Sequence, residues 1–219
     1  LSEVWIIDHG TTTLEAAGHK GGRGGRGGDF LYRWGNPQAY RAGGAKDRGL
    51  FCQHAAGWIP RGIPGAGGIM VFNNGIERPD GQYSSVETFV PPLDGKGGYL
   101  RGAGAAFGPA GPEWIFTAPR REDFFAIMAS GAQRLPNGNT LICSGFNGTI
   151  FEVTPAKEVV WKFVVPRASS GAPPPGGGPV AQPAPGTGQP DAIFRAHRYA
   201  TDYPGLAGRV QRERWRFRN

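Results

Sequence analysis

His54 is the second residue of the run Gln53-His54-Ala55-Ala56-Gly57-Trp58-Ile59-Pro60, and Asn74 precedes the final glycine of Ile69-Met70-Val71-Phe72-Asn73-Asn74-Gly75. An imidazole with a pKa of about 6.5 is largely neutral near physiological pH, with a ring nitrogen free to attack. It can take up a transferable group and pass it on, which splits one hard step into two easier ones. The competing reading is a histidine that only caps a strand end. Asn74 can donate its amide to a ligand oxygen, or it is an ordinary Asn-Gly hairpin corner. Arg78 follows in the same turn and either supplies positive charge there or is solvated. Asp8 and His9 form a second candidate, since a carboxylate can orient an imidazole. Adjacent strand residues point to opposite faces, so a shared site there needs a turn. His19 and His197 read as structural or solvated.

The His54 unit recurs downstream as Ser130-Gly131-Ala132-Gln133-Arg134-Leu135-Pro136-Asn137-Gly138-Asn139-Thr140-Leu141-Ile142-Cys143. Aligning Pro60 with Pro136 sets His54 opposite Ser130. A polar residue that changes at a fixed place in a repeated strand unit is how a β-propeller makes a site. Ser130 is therefore a candidate lining residue. It has no GxSxG elbow around it to mark a nucleophile.

The elements that must position these residues read as strands. Residues 3–8 form a short buried strand, followed by a short helical piece at Leu14–Ala17. Asp29–Trp34 is an aromatic strand closed by Gly35-Asn36-Pro37. The motif Tyr32-Arg33-Trp34-Gly35-Asn36-Pro37 matches Trp114-Ile115-Phe116-Thr117-Ala118-Pro119 and Trp161-Lys162-Phe163-Val164-Val165-Pro166. Large residues alternating on one face suit packing between neighbouring sheets. The interval from Phe116 to Phe163 is close to a propeller blade of about 40–50 residues. The earlier, longer interval carries an insertion, placed around Pro79 to Gly108. Asn137-Gly138 and Asn147-Gly148 are strong hairpin signals. Asp123–Ala129 fits a helical turn or a strand approach equally well.

The 219 residues include 38 Gly and 20 Pro, more than a quarter of the chain. Without a short period, this points to turn-rich β structure or low complexity. Six Trp and 13 Phe exclude full disorder. The expected fold class is therefore all-β, as antiparallel four-stranded propeller blades in residues 1–166. A flexible Gly/Pro-rich insertion follows at 167–190, then a closing segment and basic tail at 191–219. The net charge of +7 is concentrated near Lys20–Arg26 and in the tail. It suits an anionic partner or simply solvated basic loops. Two cysteines are too few for a disulfide framework. Cys52 and Cys143 read as small apolar residues in or beside strands. No metal-type Cys/His spacing is present. No apolar run approaches the roughly 20 residues of a membrane span, so no membrane partner is expected. The Arg/Gly loop Gly21–Gly28 resembles segments that bind single-stranded nucleic acid. Two repeats between strands read better as a loop insertion, so nucleic acid is not the expected partner.

Taken in order, these motifs resemble the arylsulfotransferase-like β-propeller family. The resemblance is carried by Gln53-His54-x-Ala56 through Ile59-Pro60 to Val71-Phe72-Asn73-Asn74-Gly75. It extends to Ile7-Asp8-His9-x-Thr11-Thr12-Thr13, Tyr32-Arg33-Trp34-Gly35-Asn36-Pro37, Gln133-Arg134-Leu135-Pro136-Asn137-Gly138-Asn139-Thr140-Leu141-Ile142 and Phe194-Arg195-Ala196-x-Arg198-Tyr199. It implies a six-bladed propeller with a central channel, of which this chain covers about the C-terminal half. It implies transfer of a sulfuryl group from a phenolic sulfate to a phenol through a sulfohistidine, and by position that histidine is His54. Asn74, Arg78, His9 and Ser130 are the expected substrate-binding residues. No cofactor or metal is implied, and the implied location is periplasmic or secreted. The family's further histidine-x-asparagine pair and arginine, on earlier blades, would lie upstream of Leu1. An incomplete propeller exposes strand edges, so an oligomer is a further expectation. The alternative function is a non-catalytic propeller that binds a small anionic or carbohydrate ligand in its channel.

Overall fold

A computed structural model describes residues 1–165 and 192–207. The Gly/Pro-rich insertion expected at 167–190 and the basic tail beyond residue 207 lie outside the described residues. The fold is all-β, with one short helix, α1 (Thr13–Ala16), and a few 3-10 turns. Three antiparallel sheets follow one another along the chain. The first pairs β1 (Val4–Ile6) with β2 (Tyr32–Trp34). The second has the order β3 (His54–Trp58), β4 (Ile69–Asn73), β5 (Ser85–Phe89), β6 (Trp114–Phe116). The third runs β7 (Gly131–Arg134), β8 (Thr140–Ser144), β9 (Thr149–Val153), β10 (Val159–Val164). Each four-stranded sheet is a meander in chain order.

The sheets are held face to face by two cores. Strand β4 shows how. Its sequence, Ile-Met-Val-Phe-Asn, is a continuous run without alternation, and all five residues are buried. Such a run fits a strand covered on both faces. Ile69 and Val71 face one core with Val4, Tyr32, Trp34, Leu50 and Phe89. Met70 and Phe72 face the other with Val86, Phe116, Ile142, Phe151 and Val153. The second sheet is thus the middle layer, and each side chain alternates between two apolar partners.

The aromatic-x-aromatic motifs are the closing strands β2, β6 and β10. In the first sheet, Tyr32 Oη donates to the Gly108 carbonyl (2.6 Å) and Trp34 Nε1 to that of Pro109 (2.8 Å). These bonds fasten the long loop 90–113 over the core. That loop is the extra length in the second sheet. The insertion expected at Pro79–Gly108 is misplaced, because β5 lies inside it. Ser85-Val86-Glu87-Thr88-Phe89 alternates around a charged residue and is buried throughout. The buried carboxylate masked the strand in the sequence. Glu87 is accommodated because Ser85 Oγ (2.6 Å) and Asn73 Nδ2 (2.9 Å) both donate to it.

Asp123–Ala129 resolves into neither a helix nor a strand. A 3-10 turn at Arg121–Asp123 is followed by irregular chain. Bonds from the second sheet pin it. Ser84 N–H donates to the Phe124 carbonyl (2.7 Å), and the Ala126 N–H donates to Ser84 Oγ (2.9 Å). Cys143 is buried as expected, but Cys52 is exposed, at a left-handed backbone position with φ 56°. Burial pushes the Cys143 thiol up to about 11.

Candidate functional site

His54 begins β3 at an irregularity in the ladder. It stands across from Phe72, yet Gly57 stands across from Met70. Ala55 and Ala56 together therefore oppose Val71, as in a β-bulge. Ala55 has φ 53°, a left-handed conformation that costs a non-glycine residue of order 1–3 kcal/mol. Bulges re-aim side chains and recur beside active sites. The matching strand β7 pairs with β8 without any shift. The third sheet meets the bulge at Gly131, where an added Cβ would come 3.1 Å from that of Ala55. Glycine at 131 permits this close approach.

Asn74 follows β4 and is fully buried. Its Nδ2 donates to the Ala126 carbonyl (2.7 Å) and, at longer range, to that of Ala129 (3.4 Å). Carbonyls only accept, so the amide NH2 must face them and Oδ1 must face the other way. Oδ1 lies 2.7 Å from His54 Nδ1. A carbonyl oxygen cannot donate, so Nδ1 carries a proton, and in the neutral ring Nε2 is the nitrogen with the lone pair. In its neutral form the half-buried imidazole is thereby the tautomer whose Nε2 can act as a base or nucleophile. Asn74 is a positioning residue: its amide hydrogens are spent on backbone and not offered to a ligand.

The other expected site residues are not gathered here. The Arg78 side chain is 8% exposed and lies beside Glu87. Its Nη2 donates to Ser85 Oγ (2.6 Å), and its guanidinium lies over the Phe51 and Tyr83 rings. It serves as counter-ion to a buried carboxylate. His9 is exposed in the turn after β1. Its neighbour Asp8 accepts the Gly10 and Gly24 N–H groups (2.8 and 2.6 Å) and so organises the Arg/Gly loop. These bonds hold the Asp8 carboxyl below its usual range. Ser130 is buried at φ 79°. Its Oγ accepts the Gly145 N–H (3.0 Å) and donates to the Met128 carbonyl (3.2 Å). Its own N–H donates to the Phe194 carbonyl (3.1 Å). It therefore anchors the chain's C-terminal return.

That return brings in residues that the sequence reading took for a closing segment and not for part of a site. Ile193 N–H donates to the Gly145 carbonyl, and Arg198 exchanges hydrogen bonds with the Gln133 side chain. Arg198 also pairs with the nearly buried carboxylate of Glu152 and lies over Trp161. Burial raises the Glu152 carboxyl, but hydrogen bonds from Asn139, Arg198 and Asn137 outweigh it and leave a net lowering. The segment roofs a groove between β3 and β7 that starts at Ala55, next to His54. The signal available in the sequence was Phe194-Arg195-Ala196-x-Arg198-Tyr199, whose aromatics and arginines stand out after the Gly/Pro-rich stretch.

Among the described residues, no cluster of three or more His, Cys, Asp or Glu is placed to hold a metal ion. No helix among them is long and apolar enough to cross a membrane. No protein-family model, curated protein or solved structure matches this chain.

Proposed function

We propose that this chain is part of an arylsulfotransferase-like β-propeller and that His54 carries a sulfuryl group between a phenolic sulfate and a phenol. The observation that carries the reading is the His54–Asn74 pair. In the neutral ring it puts the proton on Nδ1 and leaves Nε2 unprotonated, as attack on sulfur requires. The Nε2 lone pair forms the N–S bond as the sulfur–oxygen bond to the aryl group breaks. The aryl oxygen leaves with the bonding pair and takes a proton from solvent. The sulfated ring is then cationic in part, and Asn74 Oδ1 accepts from its Nδ1–H, which stabilises that charge. An acceptor phenol, losing its proton to solvent, attacks sulfur and returns the ring to its starting tautomer.

In this reading the two meanders are neighbouring blades and the first sheet is part of a third. The bulge at Ala55–Ala56 separates the blade that bears the nucleophile from the blade that bears Ser130. Trp161 and Phe163 on β10 are 44% and 39% exposed, which suits a strand that packs against a further blade or a second chain. The test is intact-protein mass after incubation with p-nitrophenyl sulfate. A gain of one sulfuryl group that disappears in His54→Ala supports the proposal. A folded protein that gains no such group and releases no phenol sinks it in favour of the ligand-binding propeller.

A further inference from the structure

The second and third sheets each meet the sheet before them in the same way. In the first contact, Trp34 of β2 stacks on Phe89 of β5, ring centres 3.9 Å apart, with Tyr32 beside it. In the second, Phe116 of β6 packs on Phe151 of β9 at 5.7 Å, with Val153 in the same core. Each contact sets the aromatic pair of a closing strand against the third strand of the next meander. The strand pairings give the equivalent positions. Ile6 stands across from Tyr32, Thr88 from Trp114 and Glu152 from Trp161. The residues that follow them, Ile7, Phe89 and Val153, therefore hold one structural position. By the same register Trp5 holds that of Phe151.

Phe89 and Val153 are fully buried, but Ile7 is 59% exposed and Trp5 43%, because the first sheet has none before it. At the other end, Trp161 and Phe163 stack with their ring planes 9° apart. Among the described residues, no sheet receives them. One copy thus carries both halves of a further contact, at opposite ends.

The two ends also match in extent. The first sheet has two strands where the others have four. On the third sheet, Glu152 points away from Phe151 and Val153, which face the second sheet. Arg198 pairs with Glu152, exchanges hydrogen bonds with Gln133 and lies over Trp161. The C-terminal return therefore covers the inner part of the outward face. Its outer edge, with Trp161 and Phe163, stays open for a two-stranded sheet. Charges at both ends are already paired, Glu3 with Arg33 and Glu152 with Arg198.

We propose that the third sheet of one copy packs on the first sheet of a second copy, Trp161 and Phe163 against Trp5 and Ile7, so that two copies close one ring. The contact continues the interface that each copy already makes twice within itself. A head-to-tail contact closes into a ring when its rotation allows. β-propellers close with about four to eight sheets. Two copies of three sheets supply six and three copies would supply nine, so the pair is the ring of the right size. The proposal does not rest on the sulfuryl-transfer reading.

The experiment is sedimentation velocity on the full chain across a concentration series. The unmodified protein should form a dimer. Phe163→Glu and Ile7→Lys should each give a monomer, because either places a lone charge in an apolar contact. Trp161→Ala should weaken the dimer about tenfold or more. All three residues are exposed in the single copy, so the circular dichroism of the variants should be unchanged. A mixture of Phe163→Glu with Ile7→Lys should dimerise again. One of its two contacts is unaltered, and the other sets Glu against Lys. A monomer throughout the series overturns the proposal, as do open assemblies that grow with concentration. So does a dimer lost in Phe163→Glu but kept in Ile7→Lys, because β10 would then pack on β10 of the second copy. A mixture that stays monomeric overturns the head-to-tail arrangement.

Discussion

Replacing Asn74 by alanine tests the geometry on which the candidate site depends. The amide is fully buried and makes two short bonds, to the Ala126 carbonyl and to His54 Nδ1. Removing the donor strands the Ala126 carbonyl in the interior, at about 1–3 kcal/mol. Losing the partly exposed bond to His54 adds about 0.5–1.5 kcal/mol. The expected destabilisation is therefore about 1.5–4.5 kcal/mol, a fall in Tm of roughly 3–18 °C for a chain of this size. His54→Ala removes only the second bond and should cost about 0.5–1.5 kcal/mol. Urea denaturation of both variants and the double variant closes a cycle whose coupling should equal that one bond. Ring-nitrogen NMR gives an independent readout. The unmodified protein should show His54 protonated on Nδ1, and Asn74→Ala should show a mixture of tautomers. A cost below about 0.5 kcal/mol for Asn74→Ala, typical of a free surface position, would refute the reasoning. So would an Nε2–H ring in the unmodified protein.

Two further outcomes follow from the buried charges. Glu87→Ala leaves the Arg78 guanidinium buried without its counter-ion and should cost about 3–5 kcal/mol in a denaturation curve. Arg78 would then matter for folding, and no ligand would rescue it. Glu152 holds the C-terminal return through Arg198, and its carboxyl is lowered from the ordinary 4.5. A lowered folded value means that its contribution is complete above about pH 4.5 and fades as pH falls through the folded value. Hydrogen exchange in residues 193–203 should therefore rise on acidification below pH 4.5 while the β4 and β8 amides stay protected. Glu152→Gln should show the faster exchange already at neutral pH.

Much of the strand order was legible because both cues are local. The aromatic-x-aromatic motifs marked the closing strands, and the Asn-Gly pairs marked the turns at Gly138 and Gly148. β5 was missed because a buried glutamate breaks the apolar pattern. Only Asn73, Ser85 and Arg78, brought together by folding, make that carboxylate tolerable. At the site, the residue types were readable but their directions were not. Asn74 read as a donor to a ligand and acts as an acceptor for His54, because carbonyls some 50 residues away take its hydrogens. Arg78 read as available charge and is committed to Glu87.

The sequence by itself determined that the chain is all-β and that an aromatic, arginine-rich segment follows the Gly/Pro-rich stretch. Those properties depend on composition and spacing along the chain. Only the tertiary structure decided the bulge beside His54, the tautomer of its ring, the burial of Arg78 and the groove roofed by residues 195–203. Each of these depends on which distant donor meets which acceptor, and hydrogen bonding is directional: the same side chain serves opposite roles according to the partner that the fold sets in front of it.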